Sequence, residues 1–400
     1  MSRLLCILAM LSVAPALAAE SPAAPEAFDA PPVLLWAVDL PGLPQSTATR
    51  SEPAEPVVLG DRIYVGYSGQ SALLVLGRED GRLVGTFPAR APVASAPIVH
   101  DGRVWFSDTA GYTFCYKLDQ LGTATPTPAW SHYSGAPIVS GPTEAGDALF
   151  IANVDDTVYS LDQSTGALRW RHAHRLDASR SGSLELFGAA PPVIVGDTVW
   201  VGFSDGFIAG LKRETGDELT NMLVGEGSYP DVIAAPYVSR SGAVTTLVAA
   251  GFSGPLVSVD PDSRVVRWRL DSGTGSEMLE HDGMLYIGGS DGKLRAVVIR
   301  TGELKWTWDP GVGGTVGTPV WTDAGLLVGA GEGAAYLVSI GNGKTLWTFD
   351  PGVLITGIAA PPAVVGRTAF IVTNAGRLYA LRVPVQRSEP QGVPWVSPTR

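Results

Sequence analysis

The stretch WVGFSDGFIAGLKRETG, Trp200 to Gly216, decides the fold. Two turn signals sit in it, Asp205-Gly206 and Thr215-Gly216, with an alternating apolar run between them. Alternation with period two is the pattern of a strand that shows one face to a core. Glycine beside Asp or Asn suits the turns, because tight hairpins need residues with positive φ. The phrase returns reworded as YIGGSDGKLRAVVIRTG, Tyr286 to Gly302, and as IANVDDTVYSLDQSTG, Ile151 to Gly166. Working outward, turn glycines stand at 60, 102, 146, 196, 242, 283, 325 and 366, spaced 41 to 50 residues apart. Each repeat has a second turn after its second strand, and most have a third, clearest at Thr165-Gly166 and Thr301-Gly302. Three turns make four strands, here named A to D. A period in the forties built of short strands predicts an all-β, eight-bladed β-propeller of four-stranded blades.

Two residue types mark the blades further. Pro56, Pro97, Pro191, Pro236, Pro319 and Pro361 open strand A. An innermost edge strand tolerates the missing donor. Trp170, Trp268, Trp306 and Trp347 recur in strand D, with Trp130 equivalent after a longer turn, and a ring at one fixed place predicts packing between blades. The first and fourth repeats lack it; Phe87 and Met222 are the candidates to replace it. The eighth repeat, residues 359–383, stops after strand C. The segment VLLWAVDL, residues 33–40, carries Trp36 and predicts that an N-terminal strand closes the ring. Closure removes the edges an open array would expose.

Composition agrees and sets limits. The 400 residues are 45% hydrophobic and 17% charged, with 48 Gly and 31 Pro, which suits a globular chain of many turns. Residues 1–18 read as a signal peptide, with Arg3, an apolar run from Leu4 to Leu17, and an Ala16-Leu17-Ala18 cleavage site. The expected organisation is a signal peptide (1–18), a linker (19–32), a propeller (33–383) and a Pro-rich tail (384–400). The chain carries a net charge of −11, which becomes −12 without Arg3. That acidity argues against nucleic acid and anionic lipid as partners. Beyond the leader no run approaches a membrane span. Cys115 is the one cysteine after residue 18 and reads as a buried strand residue.

Few residues announce chemistry. His172 and His174 share a strand face, but no third metal ligand is evident in the sequence near them. His100, His132 and His281 are scattered, so no catalytic triad can be nominated. Asp155-Asp156 and Asp260-Pro261-Asp262 read as turn residues, and Glu226 stands alone in its loop. Long connections are expected from strand D to the next strand A: Leu40 to Glu52, His174 to Pro192, and Leu223 to Asp231. They should share a face with the B–C turns, and function tends to sit on such loops.

The repeat phrase, Gly-Asp then an alternating strand, Asp-Gly, a second strand and Thr-Gly before a tryptophan, resembles the PQQ-type propeller repeat over nearly all of residues 33–383. The resemblance implies eight blades and does not by itself imply a quinone. The quinoprotein dehydrogenase branch implies an adjacent cysteine pair and a calcium site, and this sequence has no cysteine pair. The BamB-like branch implies a loop L-x-L-R-G-x-x-x-P that touches the periplasmic domains of the outer-membrane barrel insertase. Leu184, Leu186, Gly188 and Pro192 match that spacing, with Phe187 in place of the arginine. Cys6 lacks a lipobox, since Leu5 precedes it. The resemblance therefore implies a non-enzymatic, cofactor-free exported scaffold at the periplasm or outer-membrane periphery, monomeric within a complex. It also implies that Leu184, Glu185, Leu186, Phe187 and Gly188 are the partner-binding residues. A quinone-dependent dehydrogenase-like enzyme and a generic cell-envelope binding propeller stay open as alternatives.

Overall fold

In the computed structural model, residues 32–42, 54–175, 189–242, 244–352 and 357–384 are described. They form eight separate antiparallel sheets of four strands. Blade 4, which holds the stretch from Trp200 to Gly216, shows the plan. Its strands A to D are Val193–Val195, Thr198–Gly202, Phe207–Lys212 and Glu218–Leu223, paired in that order. Blades 1 to 7 each repeat this from consecutive chain. Blade 8 takes strands A to C from the C-terminal side, ending with Arg377–Arg382, and strand D from Val33–Asp39. That pairing is antiparallel with Trp36 opposite Ala380, so the N-terminal strand closes the ring as expected. Among the described residues no helix is long and apolar enough to cross a membrane.

The core is divided into eight layers, one per blade interface. Strands B and C are buried on both faces, and each apolar cluster joins side chains of two adjacent blades. Phe150 and Trp170 of blade 3, for example, pack with Val199, Val201 and Leu211 of blade 4. Cys115 lies fully buried in the layer between blades 2 and 3, and burial pushes its thiol pKa up. The strand A prolines fall just before their strands: Pro56 precedes Val57 and Pro236 precedes Tyr237.

Five of the six tryptophans at the recurring strand D position lock neighbouring blades by one repeated contact. The indole N–H of Trp170 donates to the Arg213 carbonyl at 2.8 Å, and Gly216 lies against its ring. Trp36, Trp130, Trp268 and Trp306 donate in the same way to Arg78, Gln163, Ile299 and Ile340. Their rings cover Gly81, Gly166, Gly302 and Gly343, each three residues past the acceptor. Those glycines have positive φ, and a Cβ on Gly216 would stand 2.6 Å from Trp170. The exceptions are consistent with this geometry. Blade 4 has Thr220 at the tryptophan position, and the facing turn of blade 5 carries Arg264 at φ 59 instead of glycine. Blade 1 has Gly85 there, and Leu121 from the long C–D turn of blade 2 moves in against it. Phe87 and Met222 are buried in the same interfaces, two positions further along strand D.

Candidate functional site

The expected partner-binding residues Leu184, Glu185, Leu186, Phe187 and Gly188 lie outside the described residues. What the structure gives is the junction from which that connection springs, between Arg175 and Ala189. It is tightly built. The backbone N–H of His174 donates to the Asp156 carbonyl at 3.0 Å. Its ring stacks on Phe203 with centroids 4.0 Å apart and planes at 3°. Its Nε2 reaches Asp205 at 3.1 Å, and both side chains are buried. Asp156 sits at φ 52, and its carboxylate accepts the Ser204 backbone N–H at 3.0 Å and the Ser204 hydroxyl. Burial raises the Asp156 pKa, while the bonds from Ser204 oppose the rise. On the returning side Ala190 is fully buried, and the Thr143 hydroxyl donates to the Pro192 carbonyl at 2.7 Å.

Asp156 is therefore a turn residue, as its sequence context indicates, and also the tie between blades 3 and 4. The turn was legible; the partner 48 residues away was not. Asp155 is exposed. The D–A connections and B–C turns do share a face: Val224 and Gly225 donate to the Gly206 carbonyl, and Ser134 donates to Gly111. Glu226, the lone glutamate of its loop, pairs with Arg269 of blade 5. No catalytic triad forms at the His174–Asp205 pair, since the nearby Ser204 hydroxyl bonds Asp156. The scattered histidines have structural contacts: His100 bonds Glu144 at 2.6 Å, and His281 stacks on Trp321.

The central channel is the second candidate. Residues leading into strand A of every blade enclose a cavity of about 330 Å³. Glu55 and Glu277 face it, with small side chains such as Ser95, Ser140 and Ala234 between. Glu277 is open to the channel yet walled by protein, and burial raises its pKa. Burial, and then the charge of Glu277, pushes Glu55 up to about 7. A quinone of the PQQ type carries carboxylates and calls for cations. Among the described residues this cavity is lined by two glutamates and by no Lys, Arg or His. The residues present do not fit such a cofactor.

Comparison with known proteins adds the lineage. The family model described as outer membrane protein assembly factor BamB matches residues 26–121, 116–307 and 252–385. BamB of Francisella salina is 29% identical over 123 residues, which is 29% of this chain and 23% of that protein. BamB of Kangiella koreensis is 30% identical over 132 residues, covering 31% of this chain and 33% of that protein. BamB of Moranella endobia is 21% identical over 181 residues, covering 44% and 45%. The matched stretches thus span less than half of each of these relatives. Among solved structures, BamB from Moraxella catarrhalis superposes with a TM-score of 0.67 at 18% identity, over 85% of this chain and 99% of that one. A europium-containing methanol dehydrogenase gives a TM-score of 0.69 at 11% identity, over 88% and 93%. At such identities both likenesses speak for the fold alone. The family model covers well over half of the chain, and with it the chain belongs to the family of the outer membrane protein assembly factor BamB.

Proposed function

We propose that this chain is an exported, non-enzymatic scaffold that holds periplasmic domains of an outer-membrane barrel insertase, with Leu184–Gly188 as the contact. The observation that carries the reading is the family match, which runs through all eight repeats. The rigid root of the blade 3 to blade 4 connection supports the choice of site. A loop held at both ends by buried bonds loses less freedom on binding than a loose one. Leu184, Leu186 and Phe187 supply apolar anchors that gain when desolvated in a partner's pocket. Phe187 in place of a cation shifts recognition from charge pairing to apolar burial. Residues 1–18 act as the export signal and place the protein in the periplasm. The acidic, cation-free channel supports a scaffold over a quinone enzyme.

The test is photo-crosslinking in the native cell with the probe at Leu186, followed by mass spectrometry. Capture of a periplasmic domain of the insertase supports the assignment. Capture of other proteins, or none from a folded and exported chain, removes it. The outer strands offer a further surface: Leu83, Leu168, Leu219, Val265 and Leu304, each near the start of a strand D, are exposed apolar residues beside an open edge. Extended client segments added there would gain a ladder of backbone bonds. Clients that crosslink only to loops would count against that surface.

A further inference from the structure

His172 and His174 lack a third metal ligand in the sequence around them, and the fold supplies one. Glu218 opens strand D of blade 4, 46 residues beyond His172, and the inter-blade packing brings it to the pair. One donor atom from each of His172, His174 and Glu218 lies within 4.8 Å of the others. His172 Nε2 and Glu218 Oε2 are 3.8 Å apart. We infer that the junction of blades 3 and 4 holds a divalent transition-metal ion, with His172, His174 and Glu218 as its protein ligands.

Three observations carry the assignment. The first is the spacing. Zinc takes imidazole nitrogen and carboxylate oxygen at roughly 2.0–2.2 Å, which sets neighbouring donors about 3.3–3.6 Å apart in a tetrahedron. Donors within 4.8 Å are near that spacing, and the exposed Glu218 side chain can turn to close the difference. The second is an unmet bond. His172 Nε2 is buried and has no hydrogen-bond partner. A buried polar atom without a partner is uncommon and costs stability, and a metal bond would satisfy it. The third is the support behind the pair. His174 gives its Nε2 to the buried Asp205 and stacks flat on Phe203, so its ring cannot turn freely. A carboxylate on one imidazole nitrogen is the arrangement that fixes the tautomer of a metal-bound histidine and strengthens the other nitrogen as a donor.

The donor set also names the ion. Two imidazoles with one carboxylate suit zinc, cobalt, nickel or copper, and do not suit calcium or magnesium, which prefer all-oxygen shells. Glu218 is exposed, so the ion enters from solvent and water completes its shell. The bound ion would tie strand D of blade 3 (Leu168–Ala173) to strand D of blade 4 (Glu218–Leu223), beside the root of the 176–188 connection. The inference stands whether or not that connection binds the insertase.

Cobalt titration of the chelator-treated, full-length protein tests it. Co²⁺ bound by nitrogen and oxygen in a tetrahedral shell gives visible d–d absorption bands. The expected result is one equivalent of bound Co²⁺ per chain, displaced by Zn²⁺. His172→Ala and Glu218→Gln each weaken binding at least about 10-fold, on the scale at which lesser changes to a metal site already act. His281→Ala, on blade 6, leaves binding unchanged. Circular dichroism of the metal-free variants checks folding, and Glu218→Gln is a surface change that keeps shape. Absence of the bands, or binding that persists in folded His172→Ala and Glu218→Gln proteins, overturns the assignment.

Discussion

At the scale of the residue, stability rests on pairs that belong to different blades. Trp170 is the clearest case, because its indole bonds Arg213 and its ring covers Gly216. Trp170→Ala removes both contacts and leaves a void, at a cost of about 3–5 kcal/mol. Gly216→Ala meets the same ring from the other side. Its φ of +76° strains any L side chain, and the new Cβ would stand 2.6 Å from Trp170. Strain of this kind costs roughly 1–3 kcal/mol. Because one contact underlies both effects, the double variant should lose less than the sum of the two. Urea midpoints of the four proteins in the cycle check this. Strictly additive losses would show that ring and turn are independent.

At the scale of the element, the strands were legible and the ties between blades were not. The short apolar runs between the turns of Trp200 to Gly216 name strands B and C, and because both faces of those strands are buried the runs are nearly continuous rather than strictly alternating. The recurring tryptophan could be read as an inter-blade contact, since a fixed place in a repeat is a fixed place in space. What escaped is where side chains converge across an interface. Asp156 with Ser204, and His172 with Glu218, are each about one blade apart in sequence. The repeat distance says that the blades touch, and says nothing of which side chains meet. Asp156 gives this scale its prediction. Asp156→Ala leaves the Ser204 N–H and hydroxyl without their acceptor and puts alanine at φ 52, at a cost of about 1–3 kcal/mol. The exposed neighbour change Asp155→Ala should stay within about 0.5 kcal/mol. Thermal denaturation separates them, and equal effects would demote Asp156 to an ordinary turn residue.

At the scale of the whole molecule, closure and the channel depend on all eight blades. Deleting residues 33–39 strips strand D from blade 8, uncovers Arg377–Arg382 and removes Trp36 from Gly81. The opened ring should aggregate, which size-exclusion chromatography would show, whereas a monomer of unchanged midpoint would mean that the seam contributes nothing. The channel sets a pH dependence. Glu55 has its pKa raised from an ordinary 4.5 to about 7, chiefly by burial and further by Glu277, whose own pKa burial also raises. The folded state therefore keeps a proton that the unfolded chain has released. Between about pH 4.5 and pH 7 this contribution makes stability fall as pH rises, and above that window the two carboxylates repel inside the ring. Other carboxylates have their own slopes, so the difference between wild type and Glu55→Gln is the quantity to follow. The two proteins should differ little near pH 4.5. By about pH 8 the variant should be more stable by on the order of 1–3 kcal/mol, the scale set by a shift of this size. Parallel urea-midpoint curves across the window would mean that Glu55 titrates as a solvated carboxylate and that the channel imposes no charge penalty.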